Sequence, residues 1–279
     1  MSEALRPGRV TALASGVRRL VAPNPGLMTG PGTNTYILGE REFAVIDPGP
    51  DSDAHVAAIR AATGDRVHSI LVTHTHVDHS PAARRLALLT GAPVLGRPAP
   101  AGPHQDASFS ADRVLDDGDS IAVEARELRA LRTPGHASNH VCYRLDGADL
   151  LFTGDHIING STVVIDPPDG NMADYLASLA RLKNERLAAI APGHGALIEA
   201  PFAAIDWLIA HRLEREARVL EAVRAAPGAS MSVLVPAAYA GTRPQLHALA
   251  ARSLLAHLEK LAADGRVIRK GGGWFATGG

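Results

Sequence analysis

The apolar positions of the first half come in short blocks set off by Gly and Pro. Thr35-Tyr36-Ile37-Leu38 and Phe43-Ala44-Val45-Ile46 are apolar at successive rather than alternate positions, the pattern of strands covered on both faces. Residues 51–62 change to helical spacing, with Asp51 or Ser52 placed as N-cap. Ser69-Ile70-Leu71-Val72 is a further buried strand that runs straight into a cluster of histidines. Ser80-Pro81 then predicts an N-cap followed by proline in the first helical turn, with a helix over 82–90 stopped by Gly91. Short strands follow at 94–95, 120–123, 128–131, 141–144 and 150–152, then a helix over 172–183 and a strand at 188–190. Sheets packed together with helices outside satisfy this order of elements.

The last third reads differently. An Ala-rich helical segment covers 201–226, a short helix 233–239, and a strong helix 245–263 that carries Leu254, Leu255, Leu258 and Leu261 on one face. Val267-Ile268-Arg269 and Trp274-Phe275-Ala276 flank Gly271-Gly272-Gly273 as a hairpin. Helices followed by a two-stranded wing predict a small winged-helix domain over 210–279, after an α/β catalytic domain over 1–209.

Composition narrows this little. The 279 residues are 46% hydrophobic and 20% charged, the balance of a soluble globular protein. No apolar run reaches the 18 residues a membrane span needs. The N-terminus reads as no export signal, so a cytoplasmic protein without membrane contact is expected. The single cysteine, Cys142, lies in an apolar strand and reads as core. Net charge is −1, but from Arg212 onward ten Lys/Arg face five Asp/Glu. A polyanion-facing tail would read this way, and so would a helical tail that is merely basic. Arg266, Arg269 and Lys270 would be the phosphate contacts; a packing or homodimerising role for the same domain is the competing expectation.

The chemistry concentrates in His74-Thr75-His76-Val77-Asp78-His79. His74 and His76, two apart at a strand end, can point to one side of an extended segment. Asp78 and His79 come as the chain turns into the next helix. No local geometry folds all four round one ion, whereas two neighbouring ions accommodate them. Imidazole with carboxylate suits zinc, and also iron or manganese. Three further groups stand in matching contexts: His136 and His194 each follow a Pro-Gly turn, and Asp155 follows a buried strand, with a carboxylate able to bridge two cations. Asp47, at a strand end, is expected to orient a ligand histidine. His140 is expected behind the ligands; the loop 99–110 offers a lid, against the simpler expectation that His104 is an exposed loop histidine.

His-x-His-x-Asp-His, then Thr-Pro-Gly-His, Gly-Asp and Pro-Gly-His-Gly in this order, resemble the metallo-β-lactamase-fold hydrolases. Pro23-Asn24-Pro25-Gly26, Gly32-Thr33-Asn34-Thr35-Tyr36 and Ile46-Asp47-Pro48-Gly49, with the C-terminal winged helix, resemble the lactamase-beta-two-like branch. The resemblance implies an αββα sandwich with two Zn²⁺: one ion on His74, His76 and His136, the other on Asp78, His79 and His194, with Asp155 bridging. It implies a hydrolase using a metal-bridging hydroxide, with Asp78 also orienting the nucleophile. The branch includes a single-stranded RNA endonuclease and thioesterases acting on carrier proteins. The leading substrate is therefore a phosphodiester such as single-stranded RNA, and the alternative a thioester or a small-molecule ester or lactone. A metal-binding regulatory protein without turnover is the reading from another class, opposed by the complete ligand set. Oxidation of a persulfide at one iron is disfavoured by the full second set, and β-lactam hydrolysis by the expected location.

Overall fold

The structure, a computed structural model, describes residues 5–278. Among them no helix is long and apolar enough to cross a membrane. Two compact units are present. The first contains two sheets. Strands β1 (Val10–Ala14), β2 (Val17–Val21), β3 (Asn34–Leu38), β4 (Phe43–Ile46), β5 (Val67–Leu71), β6 (Val94–Gly96) and β7 (Arg113–Val114) lie side by side in that order. The first three pairings are antiparallel and the last three parallel. The second sheet has the order β12-β11-β10-β9-β8, with β8 (Ser120–Val123), β9 (Arg126–Arg132), β10 (Val141–Leu145), β11 (Leu150–Gly154) and β12 (Ala189–Pro192). Only β11 and β12 run parallel there.

The period of two along each strand divides the core. Ala44 and Ile46 join Tyr36, Leu38 and Leu71 against Leu128, Val141, Tyr143 and Phe152 of the facing sheet. Val45, Ile70 and Val72 point the other way, onto Ile59 and Leu86, which come from α1 (Asp53–Thr63) and α2 (Ala82–Thr90). Strands covered on both faces have no polar alternation to show, which is why they read as apolar blocks.

The β1–β2 hairpin gives no such block, because Arg18 and Arg19 interrupt it. Arg18 lays its guanidinium over the Phe43 ring at 4.7 Å and donates to the Ala62 carbonyl, so its stem packs like an apolar side chain. Ser52 caps α1 as expected, and Gly64 closes it in the left-handed conformation at φ 57°. At α2 the structure departs from expectation: Pro81 occupies the cap position, and the Ser80 hydroxyl donates instead to Asp106 at 2.8 Å.

On α1, His55 is buried with its Nε2 2.8 Å from Thr35 Oγ1. The Thr35 proton goes to the Asp47 carbonyl, so Nε2 is the donor and the ring is neutral. Burial lowers its pKa from 6.5 to about 4. Above pH 6.5 folded and unfolded chains both carry it uncharged. Below that, only the unfolded chain gains the proton, so stability should fall between pH 6.5 and 4, by up to about 3 kcal/mol. Urea unfolding across this range should show a shallower slope in His55→Gln than in the parent; equal slopes would contradict the assignment.

Among the described residues the second unit gathers 134–138, 164–184 and 203–278. It thus takes one loop of the strand-rich half together with α3 (Met172–Leu182), most of α4 (Pro201–Ala225), and the C-terminal elements α5 (Met231–Ala238), α6 (His247–Ala263), β13 (Val267–Lys270) and β14 (Gly273–Ala276). Val219, Val223, Leu234, Leu254, Leu258, Leu261, Val267 and Trp274 close a separate core. Several of the C-terminal cations have partners within the unit. Lys260 and Arg266 flank the buried Glu216 at 3.1 and 3.7 Å, Arg252 meets Asp166 at 3.2 Å, and Arg218 pairs with Glu214. Arg212, Arg215 and Arg269 lie over the rings of Tyr175, Tyr239 and Trp274.

Candidate metal centre

Chain direction in the two sheets brings the polar ends together. In the first unit β4, β5, β11 and β12 end, and β3 begins, at one edge. Backbone bonds stitch that edge: Asn34 N–H donates to Gly193 O at 2.7 Å and Val141 N–H to Thr73 O at 2.8 Å. The Asn34 side chain donates to Pro192 O and Gly195 O at 2.8 and 2.9 Å. The loops leaving these strands therefore begin from fixed positions.

Asp78, His79, Asp155 and His194 each bring a ligand-type atom within 4.8 Å of the others. His79 Nε2 stands 3.6 Å from Asp78 Oδ2 and 3.4 Å from Asp155 Oδ1; His194 Nε2 stands 3.3 and 3.2 Å from the same two oxygens. Both Nε2 atoms are buried and neither has a hydrogen-bond partner. Bonds of 2.0–2.1 Å in a tetrahedron put ligand atoms about 3.3 Å apart, so four donors with this spacing fit the edges of a zinc-type polyhedron. Burial opposes charge on His79, but Asp78, Asp155 and Asp47 outweigh it and hold its pKa well above the ordinary value. His194 is lifted to about 10, burial being outweighed by Asp155 and Asp78. Asp78 is held below, and Asp155 well below, the ordinary carboxylate value, because His79 and His194 outweigh their burial. The two carboxylates thus favour positive charge at this spot, which a divalent cation would supply with both Nε2 atoms deprotonated.

The tautomers are set from behind. His79 Nδ1 donates to Asp47 Oδ2 at 2.8 Å, and His194 Nδ1 faces the Gly32 carbonyl at 3.3 Å. A carboxylate and a carbonyl can only accept, so both rings carry their proton at Nδ1 and turn Nε2 inward. Asp47 also accepts from Thr73 N–H at 2.7 Å and Thr73 Oγ1–H at 2.8 Å. The Thr73 oxygen then accepts from His74 Nδ1 at 3.0 Å. One carboxylate, buried and on a backbone with φ 48°, therefore fixes His79 directly and His74 through a hydroxyl. His74 Nε2 and His76 Nδ1 converge at 3.0 Å. His140 is fully buried, takes part in a hydrogen bond to Thr133 Oγ1, and stacks on the His74 ring at 5.0 Å.

His136 belongs to the second unit. Its Nδ1 donates to Val164 O at 2.7 Å, which leaves the lone pair at Nε2. Gly135 before it, at φ 139°, has no room for a side chain, since a Cβ would lie 2.3 Å from Tyr175 Cα. The loop 99–110 is not loose: Asp106 N–H donates to Thr75 O at 2.6 Å and Val77 N–H to His104 O at 3.2 Å. Thr73 and Asp106 were not legible as parts of the site. Thr73 could have been found by its place directly between a strand end and His74; Asp106 has no sequence signal.

Gly193 lies directly against two of the candidate ligands. A Cβ there would stand 2.8 Å from both Asp155 Oδ1 and His79 Cε1. Gly193→Ala should therefore leave a folded protein that binds fewer metal ions per chain, with turnover reduced by about 100-fold, the upper end of disturbances behind a metal ligand. Metal analysis with a steady-state assay checks this; parental metal content would contradict it.

Residues 28–194 match the metallo-beta-lactamase superfamily and 230–274 the beta-lactamase associated winged helix domain. The "Beta-lactamase-like protein 2 homolog" of Caenorhabditis elegans is 28% identical over 92% of this chain and 88% of its own. The "Atrochrysone carboxyl ACP thioesterase" of Aspergillus fumigatus is 32% identical over 77% of this chain and 67% of its own. A beta-lactamase domain protein from Burkholderia ambifaria shares the fold, with a TM-score of 0.82, 22% identity, and coverage of 99% of this chain and 96% of that one. The chain belongs to the metallo-beta-lactamase superfamily, with its associated winged helix domain, and is an enzyme of that hydrolase superfamily.

Proposed function

We propose that this enzyme hydrolyses thioesters at a two-cation site. The observation that carries the metal reading is the set of buried Nε2 and carboxylate atoms 3.2–3.6 Å apart. Asp78, His79 and His194 would hold one ion, His74, His76 and His136 the other, and Asp155 would bridge them. Zinc fits the donors, and so do iron and manganese. Such ions, when bound, acidify water and polarise an acyl carbonyl.

The chain's own residues do the rest. Asp47 and Thr73 keep His79 and His74 in the metal-binding tautomer. Asp78, partly open where Asp155 is more enclosed, can accept a hydrogen bond from the attacking water and align it. Val77, between His76 and Asp78, is exposed, and so are Leu27 and Met28. These two sit on the turn closed by Gly26 and Gly30, two residues before the Gly32 carbonyl that receives His194. Exposed apolar side chains within and near the chain segments that carry the site suit an acyl chain. Phosphodiester binding is strengthened by cations free to meet phosphate, whereas four of the ten Lys/Arg from Arg212 onward pair with carboxylates and three more lie over aromatic rings. Thioesters therefore displace single-stranded RNA as the leading substrate, and the named thioesterase relative supports this. The metal-loaded protein should release thiol from an acyl thioester while leaving a single-stranded oligoribonucleotide intact. Cleavage of the RNA with the thioester untouched would reverse the assignment.

A further inference from the structure

The metal-binding run is held from outside by a carboxylate that takes no part in the chemistry above. Asp106 is buried and lies in the loop between β6 and β7. One of its oxygens accepts from Ser80 Oγ at 2.8 Å; the other accepts from Ser108 N–H at 2.9 Å and Ser108 Oγ at 2.6 Å. Its own N–H donates to Thr75 O at 2.6 Å. Thr75 lies inside the ligand run near its start, and Ser80 follows its end. Thr75 separates His74 from His76, and Ser80 follows His79. Adjacent bonds strengthen the grip. Thr75 Oγ1 donates to Gln105 Oε1 at 2.5 Å and accepts from Asn139 Nδ2 at 2.7 Å, and His76 and Gln105 form a β-bridge. Behind Asp106, Phe109 packs against the outer core of the first unit, with its ring 3.1 Å from where a Gly96 Cβ would stand.

We infer that Asp106 is a positioning residue: it clasps the β6–β7 loop onto the His74–His79 run near its start and just past its end and thereby sets the spacing of the metal ligands. The geometry requires it in two ways. A run of six residues carrying four ligands has few backbone bonds of its own, since it is neither strand nor helix. The hydroxyl that sequence reading assigned to capping α2 is also the one Asp106 takes. Ser80 is thus spent on holding the end of the run rather than on starting the helix. The loop expected to be a lid is a brace over its anchored part, with 101–104 exposed at its tip.

The inference rests on the metal-site reading, and its test separates the two. Co²⁺ is titrated into chelator-stripped parent, Asp106→Ala and Asp106→Asn, with the visible d–d bands, a competing chromophoric chelator and far-UV circular dichroism as readouts. Asparagine keeps one oxygen for Ser80 but loses the carboxylate toward Ser108. Asp106→Ala is expected to fold, to bind Co²⁺ about 10-fold more weakly with shifted bands, and to lower kcat about 10-fold with KM nearly unchanged. Asp106→Asn should lie between it and the parent. Parental bands and affinity in a folded Asp106→Ala would overturn the inference, and so would Asp106→Asn as defective as Asp106→Ala. If Asp106→Ala fails to fold, Gln105→Ala carries the same test, with the same shift in bands expected and parental bands again overturning it. Failure of the parent itself to bind Co²⁺ would instead overturn the metal-site reading.

Discussion

Asp155→Ala is expected to remove turnover almost entirely, by about 1,000-fold or more, while leaving the fold in place. Asp155 contributes its Oδ1 to both His79 and His194 at 3.4 and 3.2 Å. In the proposed arrangement it is the group shared by both ions. Losing it removes several kcal/mol of charge stabilisation, and each 1.36 kcal/mol is tenfold in rate. The side chain is partly open, and the variant is expected to fold. Without its charge, the raised pKa of His194 loses its principal cause. A titration of the metal-free variant followed by NMR should show His194 well below the parental value of about 10. A variant with parental turnover would remove Asp155 from the site.

Asp47→Ala should act differently, through stability and both metals together. Three donors lose their acceptor: His79 Nδ1, Thr73 N–H and Thr73 Oγ1. Each buried donor left without a partner costs about 1–3 kcal/mol, and alanine is strained at φ 48°. The expected loss is on the order of 3–6 kcal/mol, seen as a fall of roughly 10 °C or more in Tm. Metal affinity should drop about 100-fold or more, because His79 and His74 are released together. Asp47→Asn tolerates the backbone but turns an amide toward one of the donors, so it should recover part of the stability and little of the affinity. If Asp47→Ala weakens only one ion, the route from Asp47 through Thr73 to His74 is wrong.

Much of this was legible in advance. The buried strands β3, β4 and β5 declared themselves as apolar blocks, and the helices α1, α2, α3 and α6 showed their spacing and stops. The candidate ligands stood out because three histidines and an aspartate within six residues have no packing use. Three kinds of information were hidden. Strand β2 carries Arg18, whose packing depends on Phe43 and Ala62, partners distant in sequence. The brace at Asp106 is made by a residue whose only signal is its position in space. Charge in the C-terminal domain looked available for a polyanion, because pairs such as Lys260 with Glu216 are 44 residues apart. Each depends on long-range proximity, which local periodicity does not contain.

Stepwise metal titration of chelator-stripped protein, followed by initial rates on an acyl thioester, tests the two-cation thioesterase most directly. The activity should be absent without metal, should rise most steeply with the second equivalent, and should level off at two ions per chain. Thioester cleavage by the stripped protein, or a plateau at a single ion, would contradict the account.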